Sequence, residues 1–196
     1  MTTPDADVQT RRAPRADAVR NRARIVTAAR ELFASDGIDV ALERVAETAG
    51  VGIGTLYRNF ASREALVEEA YRAQSQEIVD AGHRFAETLP PDEALAALLG
   101  EYLRTAAAKR GMKEVILAQL GADAPVFRDV RGATREMIGR ILDAGRAAGR
   151  IRDDVDPETV SRLIGGLSMT AAPGDDPAVT ATMVAVVVDG LRPPRT

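Results

Sequence analysis

Apolar residues recur along this chain at intervals of three and four, the period of a helix with one buried face. Val19, Ile25, Val26, Ala29, Leu32 and Phe33 form the first such stripe, with Asp17 placed to cap it and Gly37 to stop it, which predicts a helix over residues 18–36. Leu42, Val45, Ala46 and Ala49 mark a second, short helix that breaks at Gly50, and the spacing restarts at Leu56, Tyr57 and Phe60. Two short helices across a glycine-containing turn meet the requirement of a helix-turn-helix. Ser62 can cap a longer helix through Leu66, Val67, Ala70, Tyr71, Ile78, Val79 and Phe85, ending before Pro90-Pro91. Further helices are expected over 92–109, 112–120, 125–148, 157–171 and 177–190; Pro125, Pro157 and Pro177 suit first turns, and Asp156 and Asp176 suit caps. No stretch alternates as a strand would. The expected fold class is all-α, with an N-terminal three-helix bundle carrying the helix-turn-helix and a larger helical domain behind it. Residues 1–16 are polar, proline-punctuated and aperiodic, so a disordered arm is expected there, dividing the chain into 1–16, 17–64 and 65–192.

Turned at about 100° per residue, the helix holding Gly54-Thr55-Leu56-Tyr57-Arg58-Asn59-Phe60 buries Leu56 and Phe60 and leaves Tyr57 at the edge of that stripe. Gly54, Thr55, Arg58 and Asn59 point the other way. They offer bare backbone, a hydroxyl, a guanidinium and an amide, without an acid. Arginine reads guanine through paired hydrogen bonds, asparagine reads adenine, and threonine reaches phosphate or a thymine methyl. A small bundle shows the same kind of face to water, and on these residues alone the two readings stand level.

Composition narrows the chemistry. The chain has no Cys and one His, His83, which excludes disulfides, thiolate metal sites, cysteine nucleophiles, His-rich zinc sites and most triads. The acids of the second half gather at helix ends as Asp153-Asp154-Asp156 and Asp175-Asp176, where capping accounts for them. No acid-base pair stands at a catalytic spacing, so no enzymatic activity, cofactor or metal is expected. The stretch 50–55 imitates a phosphate-binding loop but has Thr55 in place of the third glycine and follows a helix, which rejects that reading. At 45% hydrophobic, 28% charged and only 4% aromatic, the interior must be built from Ala, Val, Leu and Ile. The N-terminus lacks an apolar stretch, and the most apolar run, 183–188, is too short to span a bilayer; a cytoplasmic protein with no membrane partner is expected.

The net charge of −3 conceals an asymmetry. Seven arginines (11, 12, 15, 20, 22, 24 and 30) stand against Asp17 within 11–30, a net +6, whereas from residue 65 onward 16 basic residues face 20 acidic ones. One end is suited to an anion and the other to a different task.

The segments Ala28-Ala29-Arg30-Glu31-Leu32-Phe33, Gly37, Val45-Ala46, Ala49-Gly50-Val51, Gly54-Thr55-Leu56-Tyr57, Phe60 and Ser62-Arg63-Glu64-Ala65-Leu66 lie in one register. Through them, residues 18–72 resemble the DNA-binding domain of the TetR family of bacterial transcriptional regulators. Lys109-Arg110-Gly111, Gly149-Arg150-Ile151 and Asp189-Gly190-Leu191-Arg192 are similar to the SbtR-like branch, by scattered short motifs. The resemblance implies a regulator, more often a repressor, that binds a two-fold symmetric double-stranded DNA operator as a homodimer and is released by a small-molecule effector of unknown identity.

Carried onto this sequence, the resemblance puts Ile53, Thr55, Arg58 and Asn59 at base edges or nearby phosphates and the Tyr57 hydroxyl on a phosphate. Gly52 and Gly54 lie within the same helix start. For Ile53, a core position is as good a reading as a thymine-methyl contact. Arg63, where the family usually has Lys, would grip backbone phosphate, and Arg44 is a weaker phosphate candidate. Gly52 and Ala41 stand where many members carry hydroxyl residues that cap the two helices, so fewer phosphate contacts are expected there and more from the arginine-rich arm.

His83, Phe85, Tyr102, Met112, Ile116, Phe127, Met137 and Ile141 are the candidates for an effector cavity, although each taken singly reads more readily as core. Leu163, Gly166, Leu167, Met183, Val184 and Val187, on helices apolar around more than one face, are the candidates for the dimer seam; burial within one chain is the alternative. Two other functions stay open on the sequence: a helical small-molecule-binding protein with a vestigial DNA-binding bundle, and a protein-binding adaptor.

Overall fold

The computed structural model describes residues 7–170 and 176–194, with side chains from residue 17 onward. Among the described residues every regular element is a helix: α1 (Asp7–Ser35), α2 (Leu42–Thr48), α3 (Ile53–Asn59), α4 (Arg63–Thr88), α5 (Pro91–Leu120), α6 (Pro125–Ala147), α7 (Pro157–Thr170) and α8 (Pro177–Gly190). They form two compact units divided between Ala70 and Tyr71, inside α4.

In the smaller unit α1 packs on α2 and α3, and α2 on α3. The apolar stripes meet inside it: Ile25, Ala29, Val45, Leu56, Phe60 and Leu66 are all buried. In the larger unit α5 lies against α6, α7 and α8, and α6 against α7. Its core is aliphatic, with Leu95, Leu98 and Leu99 of α5 meeting Ile138, Ile141 and Leu142 of α6 and Val160 and Ile164 of α7. Scarcity of aromatics is thus met by many branched aliphatic contacts, each small and collectively large.

Three expected caps are in place. Ser62 Oγ accepts from the Ala65 amide at 3.2 Å, Asp156 Oδ1 from Thr159 at 2.8 Å and Asp176 Oδ1 from Ala178 at 2.8 Å. Asp17 does not cap, because α1 begins at Asp7 and Asp17 lies inside it, paired with Arg20. The backbone over 7–16 is therefore helical where a disordered arm was expected: Gln9, Arg11, Arg12 and Ala13 are good helix formers, while Pro14 has no N–H to add to the helix. Residues 1–6, the side chains of Arg11, Arg12 and Arg15, and Asp175 lie outside the described residues. The break expected at Gly111 is also absent, since α5 continues through it to Leu120. A single helical glycine costs only about 1 kcal/mol, less than the packing of Met112, which follows it directly, and Ile116, both fully buried.

Asp92, in the first turn of α5, is buried and accepts from Arg150 Nε at 2.5 Å, with Arg192 Nη2 at 3.7 Å. A backbone bond from the Arg152 amide to the Leu191 carbonyl (2.9 Å) fastens the same corner. The Arg150 hydrogen bond holds the Asp92 carboxyl below its usual range. A carboxyl depressed in the folded state contributes stability above its unfolded pKa and loses it as pH falls through the folded one. Asp92→Asn should therefore lower stability at pH 7 by about 1 kcal/mol, and the gap to wild type should close on acidification below about pH 4. Urea midpoints of the two proteins across that pH range provide the check.

Candidate nucleic-acid interface and cavity

α2 and α3 are joined by a turn over 49–52. Gly50 holds φ at +63°, and its amide and that of Val51 bond back to the Glu47 and Ala46 carbonyls, both at 2.9 Å. A side chain at residue 50 would be strained by that φ and would also collide with the Arg24 guanidinium, which donates to the Gly50 carbonyl at 3.2 Å. Gly52 caps α3 with extended backbone, its carbonyl accepting from Thr55 (2.8 Å) and Leu56 (3.2 Å) without any side-chain cap; Ala41 starts α2 in the same manner.

α3 has only seven residues, too short to stand by itself in water. Leu56 and Phe60 are driven into the core behind it. At its C-terminal end, Arg22 donates to the Asn59 carbonyl at 2.9 Å and to Glu69 Oε2 at 3.0 Å, with its guanidinium 4.2 Å from the centroid of the Phe60 ring. This one side chain satisfies a terminal carbonyl, opposes the negative end of the helix dipole and stacks on an aromatic face.

The outward surface of α3 carries no acid. Gly54 and Arg58 are exposed, Tyr57 is 50% exposed, and Ile53 is 36% exposed, so Ile53 belongs to the surface rather than to the core. Arg58 Nη2 donates to Thr55 Oγ1 at 2.8 Å, and Asn59 Nδ2 to the Thr55 carbonyl at 2.8 Å. Thr55 thus orients both polar tips on one side of the helix. Arg44, on α2, is exposed and paired with Asp36 at 3.3 Å. Arg63 is half-buried, and its Nη1 donates to the carbonyls of Ile38 (3.1 Å) and Val40 (2.8 Å), holding the loop that leads into α2.

The larger unit contains a cavity of about 460 Å³. Tyr102 lines it, with its hydroxyl bonded to Thr134 Oγ1 at 2.7 Å and pushed up to about 12 by burial. The other cavity candidates do not line it. Met112, Ile116, Phe127, Met137 and Ile141 are fully buried core, Phe85 packs against that core, and His83 is half-buried elsewhere on α4. The wall is instead rich in residues that apolar spacing cannot flag, among them Lys109, Lys113 and Arg131.

Of the seam candidates, Leu163 and Gly166 are exposed on α7, and Leu167 and Met183 are half-buried. Val184 and Val187 lean on the core of their own chain. The outermost apolar groups of α8 are Val179 and Val186, 55% and 67% exposed.

Comparison with known proteins adds to this geometry. Residues 90–193 match the family of SbtR-like transcriptional regulator C-terminal domains, and residues 25–70 match the bacterial regulatory proteins of the tetR family. The HTH-type transcriptional repressor KstR2 of Rhodococcus jostii is 26% identical over 99% of each chain. Among solved structures, a TetR transcriptional regulator of Streptomyces coelicolor is 37% identical with a TM-score of 0.77, covering 89% of this chain and 99% of that one. A TetR regulatory protein of Mycobacterium vanbaalenii is 32% identical with a TM-score of 0.74, covering 91% and 99%.

If Arg22 holds α3 in place, Arg22→Ala should cost about 1 to 3 kcal/mol and weaken DNA binding although Arg22 bears none of the outward face. Arg22→Lys should restore little, because an ammonium cannot bond two acceptors while stacking flat on Phe60. Denaturation midpoints, read beside DNA affinity for both variants, test this.

Proposed function

The chain belongs to the TetR family of bacterial regulatory proteins, and from that premise we propose that it represses transcription as a homodimer on a two-fold symmetric operator and leaves that operator when a small-molecule effector occupies its larger unit. It is a DNA-binding transcriptional regulator, of a family that is not enzymatic. Regulators of this family bind operator DNA as dimers and respond to small molecules. The observation that carries the proposal is the outward face of α3: free of acids, exposed at Ile53, Gly54, Tyr57 and Arg58, and fixed from behind by Leu56, Phe60 and Arg22. Its site of action is then the cytoplasm, and among the described residues no helix is long and apolar enough to cross a membrane.

In this reading α3 enters the major groove. Arg58 and Asn59 read base edges, Ile53 and Thr55 meet bases or phosphates, and the Tyr57 hydroxyl bonds a phosphate. Gly52 and Gly54 let backbone approach the DNA, and Arg44 adds a backbone contact at its flank. Arg63 contributes chiefly by holding the loop before α2, since one of its terminal nitrogens is already committed to two carbonyls. A repressor function is supported by the full-length similarity to KstR2, which is a repressor. Effector binding selects a dimer geometry in which the two recognition helices no longer match successive major grooves, roughly 34 Å apart.

Selection of bound DNA from a random pool by the purified chain tests the proposal, with a two-fold symmetric sequence as the expected product. On that sequence Arg58→Ala should cost about 1 to 3 kcal/mol and relax preference at one position, whereas Tyr57→Phe should weaken all sequences alike. A uniform loss for both variants would remove Arg58 from base reading.

We place the dimer seam on the exposed apolar surface of α7 and α8: Leu163, Gly166 and Leu167 with Met183, Val179 and Val186, and with Val184 and Val187 supporting from beneath. Beyond its own helix, no atom among the described residues lies within 4 Å of a Cβ added at Gly166, so packing within the protomer does not require a glycine there, and close approach of a second backbone supplies a reason for it. Val186→Arg should leave the protomer folded, because residue 186 is exposed, and should yield a monomer with weak operator binding. Light scattering that still reports a dimer would move the seam.

A further inference from the structure

The cavity of the larger unit has a charge that its walls do not balance. Leu117, Val130, Ile164 and Met169 supply apolar surface, and Tyr71 and Tyr102 supply two aromatic faces. Lys109 Nζ lies 5.2 Å from the centroid of each ring, within the range of cation–π attraction. Lys113 and Arg131 join it on the wall. The two acids there are Glu158, already bonded to Arg162 at 2.9 Å and paired with Arg135 at 3.5 Å, and Glu114. Among the described residues, no ion pair joins a carboxylate to Lys109, Lys113 or Arg131.

Lys109 is held where charge is costly, whereas Lys113 and Arg131 stand exposed at the rim of the cavity. Burial, with Lys113 beside it, pulls the Lys109 ammonium down to about 8. Burial also raises the Tyr71 hydroxyl, and the positive charge of Arg131 opposes the rise. A desolvated ammonium with two further cations at its rim is relieved by an incoming anion more than by any neutral group. The bonded Tyr102 and Thr134 hydroxyls add neutral hydrogen-bonding groups beside them.

We infer that this cavity binds an organic anion, its acidic group seated among Lys109, Lys113 and Arg131 and its apolar body lying along Tyr71, Tyr102 and Ile164. The inference rests on the reading that the larger unit takes an effector, and it names the chemical class of that molecule.

A matched pair of fluorescent probes tests it: 1-anilinonaphthalene-8-sulfonate and N-phenyl-1-naphthylamine share one skeleton and differ by the sulfonate. Titrated against the full chain, the sulfonate should bind one site per chain and at least about tenfold tighter than the neutral probe. Lys109→Gln and Arg131→Gln should each remove most of that ratio without weakening the neutral probe, and Lys109→Arg should keep it. Leu117→Trp, which fills the cavity, should weaken both probes. Equal affinity for the two probes, a ratio unmoved by both glutamine variants, or sulfonate binding unmoved by Leu117→Trp overturns the inference. The same samples are assayed on the selected DNA. Sulfonate preference without any effect on DNA binding upholds the anion cavity and overturns effector control, whereas absence of preference in a chain that still binds its operator overturns the anion class alone.

Discussion

The seat of Arg22 is the constraint on which the proposed DNA-reading surface depends. A seven-residue helix has too few internal hydrogen bonds to repay its own ordering, so its position must come from outside it. Leu56 and Phe60 fix its depth, but two apolar anchors on one stripe leave rotation and tilt open. Arg22 removes that freedom by binding the last carbonyl of the helix, at Asn59, while its guanidinium lies over the Phe60 ring and its other terminal nitrogen meets Glu69 of α4. The Arg24 bond to the Gly50 carbonyl does the same for the turn before the helix. The outward face of α3 is thereby set by arginines that do not belong to it.

This changes the meaning of the basic segment. Counted along the chain, the net +6 of residues 11–30 reads as an anion-binding surface. In the fold, Arg20 pairs with Asp17, Arg22 with Asn59 and Glu69, and Arg24 with Gly50. Charge count cannot separate a guanidinium that meets DNA from one that staples its own domain, because the Arg22 partners lie 37 and 47 residues away. Local signals were legible: the stripe that buries Leu56 and Phe60, the turn at Gly50, and the caps at Ser62, Asp156 and Asp176 all act within a few residues. The continuity of α5 through Gly111 was not, since it turns on the packing of Met112 and Ile116 rather than on a single breaker, and α1 runs through Pro14, which local reading takes as a stop.

The cavity was illegible for a related reason. Large apolar residues at helical spacing are drawn into contact with one another, so Met112, Phe127, Met137 and Ile141 fill space rather than enclose it. Space is left where side chains cannot be buried without a partner. On α5 that place follows Tyr102 and Ala106, where Lys109, Arg110 and Lys113 follow at helical intervals and share the wall with them. Arg110 is drawn into the fold by donating to the Ser168 carbonyl at 3.1 Å, which ties α5 to α7. A run of cations interleaved with a buried aromatic on one face was the available signal, and apolar counting passed over it.

α7 gives these features a common element. Ile164, Gly165, Ser168 and Met169 line the cavity, while Leu163 and Gly166 are exposed on the same helix. A helix of fourteen residues is rigid enough that its faces move together. α8, without a charged side chain before Asp189 and with only Val188 buried, leaves its own apolar surface bare. Apolar surface of that kind is lost to water in a monomer and recovered in a dimer at roughly 25 cal/mol per Å², so small changes in how α7 is presented carry a measurable free energy. Where α7 is shared between a ligand and a second chain, linkage requires that the ligand's preference for one pairing geometry be matched by that geometry's preference for the ligand. If α3 reads DNA as proposed, its control by a ligand in the larger unit needs no more than a few kcal/mol of difference in how α7 packs in the two states.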